Sequence, residues 1–162
     1  MLLTIPNASV RDVSAVFSAK SNKNHQKFEI QYDPDLQNYM IVNVNSGKAL
    51  EYSYDTGEVY QRKQNLYKLA QRWYIFQNDD GTYAFCSAAN TDKYMYLTAS
   101  GEGDTISLCM SEKVADNTQK FVLAKTVNNK KADIPEDEKE KRILRAGSIV
   151  KVPVKIWYSS NC

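Results

Sequence analysis

The chain has 162 residues, of which 43% are hydrophobic, and its 21 Lys and Arg against 19 Asp and Glu give a net charge of +2. This length predicts one domain with enough apolar surface to bury a core. Residues 1–126 hold 13 basic and 14 acidic side chains. Because this part has no basic excess, we expect no nucleic-acid partner. No apolar run is long enough to span a bilayer, so no membrane insertion is expected.

Short strand patterns separated by turn residues follow one another along the chain. Residues 2–5 and 15–17 indicate two strands, and a polar loop then leads to Gln26-Lys27-Phe28. Further strand segments are predicted at residues 39–43, 46–50, 57–59, 81–85, 92–97 and 103–108, with Asn-Ser-Gly, Asp-Thr-Gly and Asp-Asp-Gly turns among them. Before residue 127 no stretch has the apolar spacing of a long amphipathic helix. The sequence therefore predicts an all-β body.

One motif, a glutamine followed two positions later by an aromatic, closes three successive segments. It occurs at Gln26-Lys27-Phe28, Gln71-Arg72-Trp73 and Gln119-Lys120-Phe121, with intervals of 71 − 26 = 45 and 119 − 71 = 48 residues. A near-constant period in this range indicates a repeat architecture. We interpret the chain as one unit copied three times.

The second copy carries the fullest pattern: Tyr39-Met40-Ile41, then Ser46-Gly47-Lys48-Ala49-Leu50, a strand led by Gly57, and the closing Gln71-Arg72-Trp73. This order resembles the ricin-type (ricin B lectin-like) β-trefoil of bacterial type, and the resemblance covers about residues 2–125. It implies units at about 1–30, 31–77 and 78–125 around a pseudo-threefold axis. It also implies that Phe28, Trp73 and Phe121 share one core, and that Gln26, Gln71 and Gln119 tie their hairpins to backbone.

The first copy departs from the pattern, because no Tyr-x-Ile strand precedes Leu2. A closed sheet cannot lose one strand without exposing backbone donors and acceptors. The tail offers a strand: alternation over 150–157 follows a charged stretch. We expect a trefoil at 1–126, a charged linker at 127–145, and a C-terminal strand at 146–162. That strand either completes the trefoil, as a monomer or a strand-swapped dimer, or begins a neighbouring domain.

Catalytic and metal-binding patterns are weak in this sequence. The only histidine, His25, lies in a polar loop without a serine or cysteine motif beside it. Acidic pairs flank Pro34 and Gly81, as turn residues do. Cys86, Cys109 and Cys162 form no Cys-x-x-Cys pair; free thiols or a bridge both fit. We expect no enzyme activity, no catalytic residue, no metal site and no cofactor.

In the resembled family, an aspartate, an aromatic ring and an asparagine hold the sugar of each repeat. These positions correspond here to Thr4, Glu51 and Thr98 for the aspartate, and to His25, Ala70 and Thr118 for the asparagine. No copy keeps the full set, and the second keeps most. The candidate carbohydrate-binding residues are Glu51, Tyr54, Tyr60, Gln61, Arg62 and Asn65 in the second copy, and His25 and Phe17 in the first. Tyr52 and Tyr67 offer further ring faces, although tyrosines that alternate on strands are also common packing residues.

Two hypotheses on function follow. The first is a lectin-like carbohydrate-binding module, part of a larger secreted or cell-surface protein such as a toxin or a glycosidase, whose partner is a glycan or glycoprotein. The second is a β-trefoil used in protein interaction or assembly, its sugar pockets decayed. The pocket substitutions favour the second hypothesis, and the 11 tyrosines favour the first.

Overall fold

The computed structural model describes residues 1–89, 92–126 and 150–158, with the backbone alone for 150–152. The described residues form β-strands and short 3₁₀ turns, so the all-β prediction is confirmed. The strands are β1 (Leu2–Thr4), β2 (Val16–Ser18), β3 (Phe28–Asp33), β4 (Asn38–Asn43), β5 (Ala49–Tyr52), β6 (Val59–Arg62), β7 (Trp73–Gln77), β8 (Tyr83–Ser87), β9 (Tyr96–Ser100), β10 (Ile106–Ser111), β11 (Val122–Lys125) and β12 (Val150–Trp157). No helix among these residues has the length and apolarity to cross a membrane.

The pairing of strands repeats three times. The last strand of one copy pairs antiparallel with the first strand of the next, as β3 does with β4 and β7 with β8. Within a copy the first strand also pairs with the second, as β4 does with β5 and β8 with β9. This arrangement is the β-trefoil that the motif spacing predicts.

Strand β12 lies in the position equivalent to β4 and β8. It pairs with β3 from Val150↔Tyr32 to Val154↔Phe28, with β11 from Val154↔Lys125 to Trp157↔Val122, and with β1 at its end. The division into trefoil, linker and tail strand stays a prediction. The predicted linker at 127–145 and Cys162 lie outside the described residues, and Cys86 and Cys109 are free thiols.

One hydrophobic core runs through all three copies. Phe28, Trp73 and Phe121 are fully buried and belong to the same cluster, which confirms their predicted convergence. The Trp73 indole nitrogen also donates to the Leu50 carbonyl oxygen at 3.3 Å. Large aromatic side chains contribute much of a core's apolar burial, so these closing residues stabilise the shared centre of the fold.

Each glutamine of the triplets ends a 3₁₀ turn and is buried. The Gln26 side-chain nitrogen donates to the Ala19 carbonyl at 2.8 Å, and its oxygen accepts from the Ser21 amide at 2.7 Å. Gln71 makes the equivalent bonds to the Lys63 carbonyl and the Asn65 amide, and Gln119 makes them to the Glu112 carbonyl and the Val114 amide. These buried amides therefore fix the loop that follows the third strand of each copy.

Candidate functional site

Glu51 lies near the end of β5 in the second copy, with only 1% of its surface exposed. Its Oε1 accepts from Gln71 Nε2 at 3.2 Å and contacts Lys68 Nζ at 2.8 Å, and its Oε2 accepts from the Tyr60 hydroxyl at 2.6 Å. Burial alone raises the pKa of a carboxyl, but the hydrogen bonds and the Lys68 charge outweigh it and hold the pKa of Glu51 below its ordinary value. The carboxylate is thus ionised and already occupied by protein donors.

Arg62 covers the aromatic neighbour of this carboxylate. Its guanidinium lies 4.8 Å from the centre of the Tyr60 ring, and its Nε lies 3.6 Å from Glu51 Oε2. Burial and the hydrogen bond to Glu51 raise the pKa of Tyr60 to about 12, so this phenol stays protonated and donating. One face of the Tyr60 ring therefore packs against a cation instead of facing solvent.

A shallow recess of about 490 Å³ opens beside this cluster, and its walls come from a single loop: Lys63, Gln64, Asn65, Leu66 and Tyr67. The Tyr67 side chain projects from the loop with 95% of its surface exposed. Neighbouring side chains hold the loop backbone: Gln71 bonds Lys63 and Asn65, and Arg72 Nη2 donates to the Leu66 carbonyl at 2.8 Å. The recess is therefore pre-formed by buried groups beneath it.

The same loop contains an Asx turn. Asn65 Oδ1 accepts from the Tyr67 amide at 3.0 Å, which orients its Nδ2 as a donor that meets no partner among the described residues. Gln64 Nε2 donates to the Gly47 carbonyl at 2.8 Å. The recess thus offers an aromatic ring, an amide donor and nearby cationic heads.

Three other predicted residues lie elsewhere. Gln61 is fully buried, and its amide donates to the carbonyls of Ser9 and Arg11, a structural role. Phe17 has no exposed surface and stacks on Phe121 with ring centres 5.6 Å apart. Tyr54 is half exposed, packs on Tyr52 and donates its hydroxyl to the Ala89 carbonyl. The structure therefore does not gather these side chains with Asn65 and Arg62.

The first copy has a smaller recess of about 330 Å³ near His25, with walls rich in hydroxyl groups: Thr4, Ser18, Ser21 and Thr105. His25 Nδ1 is buried and has no hydrogen-bond partner among the described residues. Burial, and then the Lys23 charge, lower the pKa of this imidazole. A neutral histidine here can donate or accept one hydrogen bond. No group of His, Cys, Asp or Glu within the described ranges could hold a metal ion.

Lys68, Lys63 and Gln64 were not predicted as site residues. Lys68 lies 17 positions after Glu51, and only the 3₁₀ turn Leu69–Gln71 brings the two together. Polar residues in a loop carry no sequence signal for such a contact, because its geometry depends on the buried Gln71 and Arg72 beneath the loop.

The ricin-type beta-trefoil lectin domain-like family model matches residues 24–108, more than half of the chain. The chain belongs to this family. The matched segment runs from the closing 3₁₀ turn of the first copy to β10 and contains the entire second copy with its recess. No curated protein sequence matches the chain.

Solved structures show the same trefoil at low sequence identity. A designed threefold-symmetric protein, ThreeFoil, aligns with TM-score 0.64 and 20% identity over 73% of this chain and 86% of that one. A mosquitocidal holotoxin aligns with TM-score 0.62 and 15% identity over 76% of this chain, which spans 16% of the toxin chain. The Haemophilus ducreyi cytolethal distending toxin aligns with TM-score 0.51 and 15% identity over 74% of this chain and 79% of that one. At these identities the likeness shows the fold alone.

Proposed function

We propose that the chain is a carbohydrate-binding module and that its second copy holds a saccharide in the recess at residues 63–67. The observation that carries this proposal is the Tyr67 ring, almost fully exposed on a loop that buried Gln71 and Arg72 hold in place. An exposed ring on a fixed loop presents its face to a ligand without rearrangement, and the C–H face of a pyranose is an apolar surface that such a ring covers. Membership of a lectin-like family supports the same function.

In this proposal the recess residues contact the sugar, and the cluster around Glu51 supports them. Tyr67 stacks on the sugar ring, and Asn65 Nδ2 and the Arg62 guanidinium donate to hydroxyl oxygens. Glu51, Tyr60 and Gln71 form the support, since the Glu51 carboxylate is 1% exposed and accepts bonds from three side chains. This role differs from the direct hydroxyl acceptor that the family pattern implies for Glu51. The first-copy recess at His25 is a weaker second position.

The test is a glycan array at high protein concentration, followed by titration calorimetry with the best hit. Single lectin pockets bind weakly, so multivalent display is needed to register them. Tyr67→Ala should lower affinity at least about fivefold through the lost aromatic contact. Tyr94→Ala is the matched control, because Tyr94 is also a largely exposed tyrosine, at 69%, and lies in the third copy. Equal affinity of both variants and the parent protein would remove Tyr67 from the site.

The chain fits a binding module of a larger secreted or cell-surface protein, and we propose no catalytic role for it. Two structures of similar fold are a mosquitocidal holotoxin and a cytolethal distending toxin, and the matched region is 16% of the holotoxin chain. A lectin-like module in such a protein would attach it to surface glycans. Binding of this chain, labelled with a fluorophore, is measured on cells before and after the cells are treated with glycosidase. Unchanged binding after the treatment would contradict attachment to surface glycans.

A second candidate, protein interaction, has one specific observation in its favour. Tyr74 and Phe76 on β7 point outward with 38% and 50% exposure, and their ring centres lie 6.5 Å apart. Exposed aromatic pairs are enriched where proteins associate. Sedimentation velocity of the parent and of Tyr74→Ser/Phe76→Ser over a wide concentration range tests self-association through this face. Sugar binding that survives the double substitution would separate the two functions.

A further inference from the structure

We propose that the saccharide held at the second-copy recess is acidic, carrying a carboxylate or sulfate group. This inference rests on the proposed carbohydrate binding and names its ligand class. The groups that decide it are the charges around the recess. Lys63 lines the recess. Arg62 and Lys68 directly precede and follow the recess loop in the sequence; both contact Glu51, and their side chains are 50% and 43% exposed.

The carboxylates near the recess are already engaged by basic side chains. Asp33 lies 3.4 Å from Arg72 Nη1, on the same guanidinium that donates to the Leu66 carbonyl. Glu51 is buried and contacted by both Lys68 and Arg62. Asp12 contacts Lys48 at 2.6 Å and lies 3.9 Å from Arg62. In these contacts three cations, Lys48, Arg62 and Lys68, pair with only two carboxylates, those of Asp12 and Glu51. Lys63 adds a fourth cation, which forms no ion pair with any described residue. The exposed part of this cluster is therefore positive, and no described residue that lines the recess is acidic.

A neutral sugar would lack an accessible carboxylate acceptor for its hydroxyl groups in this recess. Its hydroxyls are best held by an accessible carboxylate that accepts from two neighbouring hydroxyls, and here the only carboxylate at that position is closed off by Lys68 and Tyr60. An anionic group on the sugar instead accepts from Lys63 and from the outer hydrogens of Lys68 and Arg62. The ring of the same sugar lies against Tyr67, which gives the site its preference for a saccharide over a bare anion.

The experiment uses one pair that is matched apart from the charge and a second pair that differs by one acidic sugar residue. Titration calorimetry compares trigalacturonic acid with its methyl ester, and 3′-sialyllactose with lactose, at about 0.05 and about 0.5 M NaCl. We expect the acids to bind at least about fivefold tighter than their neutral counterparts at low salt and to lose that advantage at high salt, because screening acts on exposed charges. Lys63→Gln should reduce the affinity for the acid about two- to fivefold and leave the ester unchanged, and Lys125→Gln, an exposed lysine on β11, is the charge-matched control.

The outcomes separate this inference from the proposed function. Equal binding of acid and ester, lost in Tyr67→Ala, would keep the lectin function and overturn the acidic ligand. If polyphosphate and trigalacturonic acid bound equally and Tyr67→Ala did not change that binding, the ligand would not be a saccharide. The result would indicate a surface that binds anions in general. No binding of any glycan on the array would overturn both proposals.

Discussion

The carboxylate of Glu51 lies 3.2 Å from the side-chain nitrogen of Gln71, at the place where threonine hydroxyls accept from the other two triplet glutamines. Thr4 Oγ1 accepts from Gln26 at 3.0 Å, and Thr98 Oγ1 accepts from Gln119 at 3.1 Å. The three acceptors are 51 − 4 = 47 and 98 − 51 = 47 residues apart. One position of the trefoil thus performs the same task with two kinds of side chain.

This equivalence predicts that threonine replaces Glu51 better than alanine does. Glu51→Ala leaves one of the two Nε2 hydrogens of the buried Gln71 amide without an acceptor, while the other still donates to the Lys63 carbonyl, and it should cost about 2–3 kcal/mol of unfolding free energy. Glu51→Thr restores that acceptor and should recover about 1 kcal/mol of the loss. Urea denaturation of both variants measures the difference. If the two variants unfolded at the same urea concentration, the hydrogen bond to Gln71 would not be what Glu51 contributes.

The same carboxylate predicts an acid-sensitive contribution to stability. The pKa of Glu51 is lowered in the folded protein, so its contribution is fully present above the ordinary glutamate value of about 4.3 and is lost as the pH falls through the lower folded-state pKa. The stability difference between the parent and Glu51→Thr should therefore be constant from about pH 7 to pH 5 and shrink below about pH 4. Urea denaturation at each pH measures it, and a gap that widens on acidification would show a raised pKa instead.

Trp73 carries the core prediction. The ring is fully buried, so Trp73→Ala should cost about 3–5 kcal/mol, a large part of the stability of a domain this size. The adjacent Tyr74 is 38% exposed, and Tyr74→Ala should cost less than about 1 kcal/mol. Thermal melts followed by circular dichroism compare the two. A Trp73→Ala protein that melts within a few degrees of the parent would contradict a shared aromatic core.

The fold could be predicted from the sequence because its decisive contacts recur. The three triplets at near-equal spacing indicate three buried glutamines and three core aromatics. Because the motif occurs in each copy, each occurrence supports the assignment of the other two. Site residues have no such redundancy. Gln61 reads as a polar residue on a strand, yet it is fully buried because the carbonyls of Ser9 and Arg11, some fifty positions away, accept from it.

The Glu51 cluster shows the limit most clearly. The family pattern identifies the position of the carboxylate, but its accessibility depends on where the long side chains of Arg62 and Lys68 go. Both reach back over Glu51 because a buried carboxylate needs compensating charge. A sequence motif specifies residue types and does not show that Arg62 and Lys68 cover the Glu51 carboxylate. Tyr67 becomes a better candidate for sugar contact than Glu51 only when the position of the loop is known.

The C-terminal strand is the remaining departure from the repeat pattern. In β12, Val154 and Ile156 are buried in the common core, and Tyr158 donates its amide to the Met1 carbonyl at 3.1 Å. We propose that β12 completes the first copy within one chain, in the position equivalent to β4 and β8. Its removal would then leave the edges of both β3 and β11 unpaired.

Two substitutions and a deletion test this arrangement. Ile156→Asp buries a charge at a fully buried position and should destabilise the trefoil by several kcal/mol, whereas Lys155→Gln, on the neighbouring position of the strand, should cost less than about 1 kcal/mol. Deleting 146–162 should abolish cooperative unfolding. A strand exchanged between two chains would instead make the melting temperature and the sedimentation coefficient rise with protein concentration. A deleted chain that stays monomeric and melts as the parent does would assign β12 to a neighbouring domain, because the trefoil would then be complete without it.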